Sequence, residues 1–128
     1  MHNYAIPRRF LGGDADCQVV YKFDFSDPEF WEKIGFEQVD VNRFRVSVYA
    51  LNGFNVSVSN NGQDWDELYD TNDVNAQNGA NARYFDFVLN DYVGKGKDVV
   101  YLRFKLSNVH KEGTTHPGQW ESLRFYFN

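Results

Sequence analysis

From Asn52 to Tyr69 the chain reads NGFNVSVSNNGQDWDELY, alternating apolar and polar residues one by one into a turn. Phe54, Val56 and Val58 fall on one side of an extended chain and Asn55, Ser57 and Ser59 on the other. That is the period of a strand with one buried and one wetter face. Asn60-Asn61-Gly62 follows, residue types that tolerate the positive φ of a tight reversal. Trp65 comes next, where a large ring can cover the hairpin's apolar face while its indole N–H finds an acceptor. The stretch predicts a β-hairpin.

The same period recurs on both sides of it. Val19, Tyr21, Phe23 and Phe25 share one face, as do Phe85, Phe87 and Leu89, then Val100, Leu102, Phe104 and Leu106, then Leu123, Phe125 and Phe127. Val39 and Val41 have the opposite parity to Phe44, Val46, Val48 and Ala50, so a single strand there requires a bulge or kink near Asn42. Helical spacing appears once: Ser26-Asp27-Pro28-Glu29 reads as a Ser N-cap and capping box, and Phe30, Trp31 and Ile34 follow before Gly35 stops the helix. This short helix is expected to plug one end of the fold, with Trp31 packed inside. Residues 1–18 carry no period and read as an irregular lead-in. Seven or so strands with long connections predict an all-β, antiparallel β-sandwich or jelly roll with one short helix after the first strand, in a single domain over 1–128.

Composition agrees and narrows the function. Aromatic residues make up 18% of the 128, and Val, Phe and Tyr dominate the apolar set, a mix that favours strands. The formal charge of −5 gives no electrostatic footprint for nucleic acid. No apolar run approaches the roughly 18 residues of a membrane span. Cys17 is the only cysteine, excluding an internal disulfide, and beside a strand start it reads as a buried structural thiol. The opening MHNYAIPRRFLGG lacks the apolar core of a secretory signal. The expectation is either a cytoplasmic protein or a module of a longer secreted or cell-surface chain.

Several motifs carry a resemblance. VSVSNNGQDW is similar to the "S-x-D/N-G-x-x-W" hairpin of galactose-binding-like sandwich domains, a superfamily that includes discoidin-type domains and many carbohydrate-binding modules. YKFDFSDPEFWEKI resembles their opening strand and capped helix, DVVYLRFKLSN their penultimate strand, and GQWESLRFYFN their closing strand. The match runs over roughly residues 17 to 128 in the same order. The resemblance implies a non-catalytic, lectin-like domain that binds a poly- or oligosaccharide through loops at one end, as the accessory partner of a companion catalytic domain or a cell surface. It also implies a structural calcium ion beside the termini.

If consecutive strands run antiparallel, the two longest polar loops, Asp70 to Ala82 and Ser107 to Gln119, share one end of the sandwich with the segment entering the first strand. Planar amides, His and Arg hydrogen-bond sugar hydroxyls, and flat rings stack on C–H faces. The candidates of those types are Asn78, Asn81, Arg83, His110, His116 and Trp120. Each has a plainer reading: packing for Trp120, solvated loop positions for the histidines, a loop ion pair for Arg83 and turn geometry for the asparagines. Asp14, Asp16 and Glu121 are the candidate calcium ligands, hard oxygen donors set against the reading of a solvated Asp turn. A second function class stays open, a structural or protein-interaction domain using outward Tyr49, Tyr84 and Tyr101.

Enzyme signatures are missing. His110-Lys111-Glu112 has no Pro-Cys-x-x-Cys after it, and His110 and His116 lack the spacing of zinc proteases. No glycine-rich phosphate loop occurs, so a non-enzymatic role is expected.

Overall fold

The computed structural model describes residues 2–6, 10–11, 17–51, 54–70, 83–106 and 119–128, with side chains over 18–49, 55–69, 84–105 and 123–128. The alternating segments form strands, and the parity of each decides what goes inside. In chain order the strands are β1 (His2–Ile6), β2 (Phe10–Leu11), β3 (Cys17–Asp24), β4 (Phe44–Leu51), β5 (Phe54–Ser59), β6 (Asp66–Asp70), β7 (Arg83–Val88), β8 (Val99–Leu106) and β9 (Gln119–Phe127). A helix, α1 (Pro28–Ile34), follows β3. Two sheets result: a five-stranded one ordered β1-β9-β4-β7, with β2 also paired to β9, and a four-stranded one ordered β3-β8-β5-β6. Every pairing is antiparallel. The fold is an all-β sandwich.

Inward residues of the two sheets meet in a dry core. Phe44, Val46, Val48, Leu123, Phe125 and Phe127 face Phe23, Val56, Val58, Val100, Leu102 and Phe104, all buried. Towards α1 the core becomes aromatic. Phe23 packs edge-on against Phe125 at 4.7 Å and Phe44 at 5.1 Å between ring centroids, and Trp31 against Phe127 at 5.6 Å. Such tilted pairs align positive ring edges with negative faces and add about 0.5–1.5 kcal/mol each beyond area burial. Trp31 is a packing residue, 2% exposed, and its Nε1–H donates to the Phe25 carbonyl at 2.8 Å.

Four local features differ from the sequence expectation. The lead-in contains two short strands: β1 pairs with β9 from His2↔Phe127 to Ile6↔Leu123, and β2 pairs with its other half. The helix cap is Asp27, whose carboxylate accepts from the Glu29 N–H at 2.9 Å, while Ser26 turns back to Asp24. Both are competent caps, and a cap at Asp27 sets Pro28 at the first helical position, where its missing N–H costs nothing. Residues 36–43 are not strand. The N–H groups of Asn42 and Arg43 both donate to the Asn128 carbonyl, at 2.8 and 2.9 Å, and this bend buries Val41 while leaving Val39 exposed.

The fourth difference is the hairpin, whose connection is six residues long, 60–65, rather than a tight turn. Ser59 Oγ accepts from the Asn61 and Gly62 N–H groups, and Asn61 Oδ1 accepts from those of Gln63 and Asp64. These bonds satisfy backbone donors that have no ladder partner. Gly62 holds φ +76° against the Tyr101 ring. The turn thereby folds back over the outer face of its own sheet, and Ser57 and Ser59, on outward positions, are buried. Trp65 covers that polar face rather than the apolar one: the Arg103 guanidinium lies 4.3 Å from its ring centroid.

Candidate functional site

Register brings distant segments to one end. Cys17 pairs with Leu106, Phe54 with Leu106, Asn55 with Asp70, Ala50 with Arg83, and Leu51 with Gln119. The strand termini flanking 12–16, 52–53, 71–82 and 107–118 therefore sit together, at the end of the sandwich opposite α1.

Two sequence candidates have a described backbone at that end. Arg83 and Trp120 are both register partners of Ala50, so their backbones occupy one row of the five-stranded sheet on either side of β4. At strand spacing they stand roughly 10 Å apart. Glu121 lies on β9 next to Trp120. The side chains of Arg83, Trp120 and Glu121 fall outside the described residues, as do Asn78, Asn81, His110, His116, Asp14 and Asp16 entirely, and the side chain of Cys17. Among the described residues no group of three or more His, Cys, Asp or Glu could hold a metal, and no helix is long and apolar enough to cross a membrane.

The adjacent row has the parity opposite to Phe44, Val46 and Val48, so it lies on the outer face, and it carries an aromatic pair. Tyr49 and Tyr84 are register partners with ring centroids 4.7 Å apart, and Tyr84 is 72% exposed. The next row on that outer face, two residues along β4, has Ser47 between Asp86 on β7 and Arg124 on β9, both exposed. The row after that is Val88, Arg45 and Tyr126, in which the Arg45 guanidinium lies 4.2 Å from the Tyr126 ring centroid. This outer face presents a solvent-facing ring, then hydroxyl, carboxylate and guanidinium groups, then a stacked cation. Flat rings grip C–H surfaces, and the polar groups can donate to or accept from hydroxyls.

Ser47, Asp86, Arg124, Arg45 and Tyr126 escaped the sequence reading. Their outward parity was visible in the alternation of each strand, but their adjacency depends on the pairing of strands more than thirty residues apart. Tyr101, read as outward beside Tyr49 and Tyr84, belongs to the other sheet and is half-buried beneath the turn, with Lys22 Nζ 5.8 Å from its ring centroid.

The α1 end is tied shut by polar bonds. Asn60 Nδ2 donates to the carbonyls of Tyr92 and Val99, each at 2.9 Å. Tyr92 donates its hydroxyl to Asp66, and this bond, with partial burial and the nearby charges of Asp66 and Asp91, pushes its pKa up to about 12. The bond holds the β5–β6 connection against the segment that follows β7. The chain matches no protein-family model, and comparison with curated proteins gives no match either.

Proposed function

We infer that this chain is a non-catalytic carbohydrate-binding domain of the galactose-binding-like type, gripping a glycan at the long-loop end and along the adjoining outer face of the five-stranded sheet. The observation that carries the reading is the exposed Tyr84 ring braced by Tyr49, on the outer face of the sheet near the long-loop end. A braced ring loses little conformational freedom when a sugar stacks on it, and neighbouring Ser47, Asp86 and Arg124 supply both donors and acceptors. A shallow face buries limited area, so binding by one domain is weak. Its value is in raising the local concentration of a companion catalytic domain, or of a cell surface, near the glycan.

The test is a glycan array probed with the chain, with calcium and with chelator. Binding to one sugar class, reduced at least tenfold in Tyr84→Ala and in Trp120→Ala, is the expected result, and silence across the array under both conditions refutes it. The reading includes a structural calcium ion at Asp14, Asp16 and Glu121, for which the expected sign is a lower melting temperature on chelation. An unchanged melting curve removes the ion and leaves the glycan site.

A second reading is favoured by one observation: Tyr84 and Val88, 72% and 68% exposed, both lie on β7, an edge strand of its sheet. Exposed apolar residues on an edge with no partner strand among the described residues suit a protein partner that adds one. Under this reading the chain is a protein-interaction domain, and pull-downs lost in Val88→Asp identify it.

A further inference from the structure

Among the described outward positions on the five-stranded sheet, cations outnumber anions, Arg45 and Arg124 against Asp86, in a chain whose formal charge is −5. Arg45 sits opposite Tyr126 and Ser47 opposite Arg124, so the two arginines are diagonal neighbours across β4 and β9. Such positions stand about 7–8 Å apart, within reach of a single group between two long side chains. Asp86 is the corresponding diagonal neighbour of Arg45 on β7, yet the Arg45 guanidinium lies over Tyr126, 4.2 Å from the ring centroid, on the Arg124 side. Its Nε is buried, with no hydrogen-bond partner among the described residues. Stacking on the ring and burial of Nε hold the group in one plane, with its terminal nitrogens as the part left to meet a ligand. A planar fork of that kind suits a carboxylate or another oxyanion, which it binds through two parallel N–H bonds.

We propose that Arg45 and Arg124 form an anion subsite, so that the glycan bound on this face is an acidic saccharide, carrying a uronate carboxylate or a sulfate ester. This rests on the glycan reading above and names its substrate class. The Tyr49–Tyr84 pair would stack on one residue of the saccharide while the arginines take the acidic group of another, two rows along β4.

The experiment is calorimetric titration of the chain with three oligosaccharides of matched length: a hexuronate, its neutral hexose counterpart, and a sulfated form of the neutral one. Each is repeated with Arg124→Gln and with Arg45→Gln/Arg124→Gln, after the melting curves of the variants are compared. The expected result is at least tenfold tighter binding of a charged saccharide than of the neutral one. That preference should weaken with added salt and be lost in the double variant, which should bind charged and neutral saccharides alike. The hexuronate and sulfated arms tell which anion is recognised. Arg124 is exposed, so its single variant keeps the fold and should lose part of the preference by itself. Equal binding of charged and neutral saccharides, or charged-saccharide affinity unaltered in both variants, overturns the anion subsite and leaves the glycan reading intact. Binding of none of the three, together with a silent array, removes both.

Discussion

At Tyr92 a single proton links two loops. The hydroxyl donates to the Asp66 carboxylate, and ionising it would set two negative oxygens against each other, which is why its pKa rises from 10.0 to about 12. The folded-state pKa is therefore above the unfolded one, and the unfolded chain gives up this proton first as pH rises. The stabilisation is complete below pH 10 and lost as pH climbs through about 12. In a spectroscopic titration of tyrosinate, Tyr92 should be among the last tyrosines to ionise. Tyr92→Phe should delete a late-titrating step, and Asp66→Asn should return it towards the ordinary value. A late step unchanged in both variants would contradict the assignment.

At the level of elements, α1 shows how a local signal can be right in kind and displaced by one residue. Ser26 and Asp27 both suit an N-cap, and the sequence offers no way to see that Asp24 engages the Ser26 hydroxyl at 2.6 Å. Asp27→Ala should cost about 1 kcal/mol in urea denaturation through loss of the cap. Ser26→Ala should cost measurably less, and the reverse order would restore the Ser cap. The strands divide in the same way. Phe44, Val46 and Val48 were legible because a half-buried strand imposes alternation on its own residues. Val39 and Val41 copy that alternation without being strand, because the bend at Asn42 and Arg43 is fixed by the carbonyl of Asn128, far off in sequence. β1 and β2 were illegible for the same reason: both are short and owe their existence to β9. The site follows this division. Residue types near the loop end could be nominated from composition, whereas the row joining Tyr49 to Tyr84 exists only once β4 and β7 are in register.

Across the whole molecule, polar side-chain ties gather at the α1 end, and the exposed Tyr84 ring lies towards the other. Gly62, at φ +76° with a Cβ site 3.4 Å from the Tyr101 ring, supports the turn at the α1 end. Gly62→Ala should cost about 1–2 kcal/mol from the left-handed backbone, with glycan affinity retained below the melting transition. Tyr84→Ala should do the opposite, leaving the denaturation midpoint within about 0.5 kcal/mol of the parent while weakening binding, because so exposed a ring holds little of the core. A variant pair that moved both quantities together would mean that the two ends are not separate. The antiparallel pairing of His2 with Phe127 sets positions 2 and 127 side by side at the α1 end, since Phe127 is also the partner of Phe44. Both are thus handles on the same pole. A surface or carrier joined there holds the domain with its long-loop pole outward. A short linker between those positions, with a cut inside 60–65, should give a circular permutant that keeps both sheets.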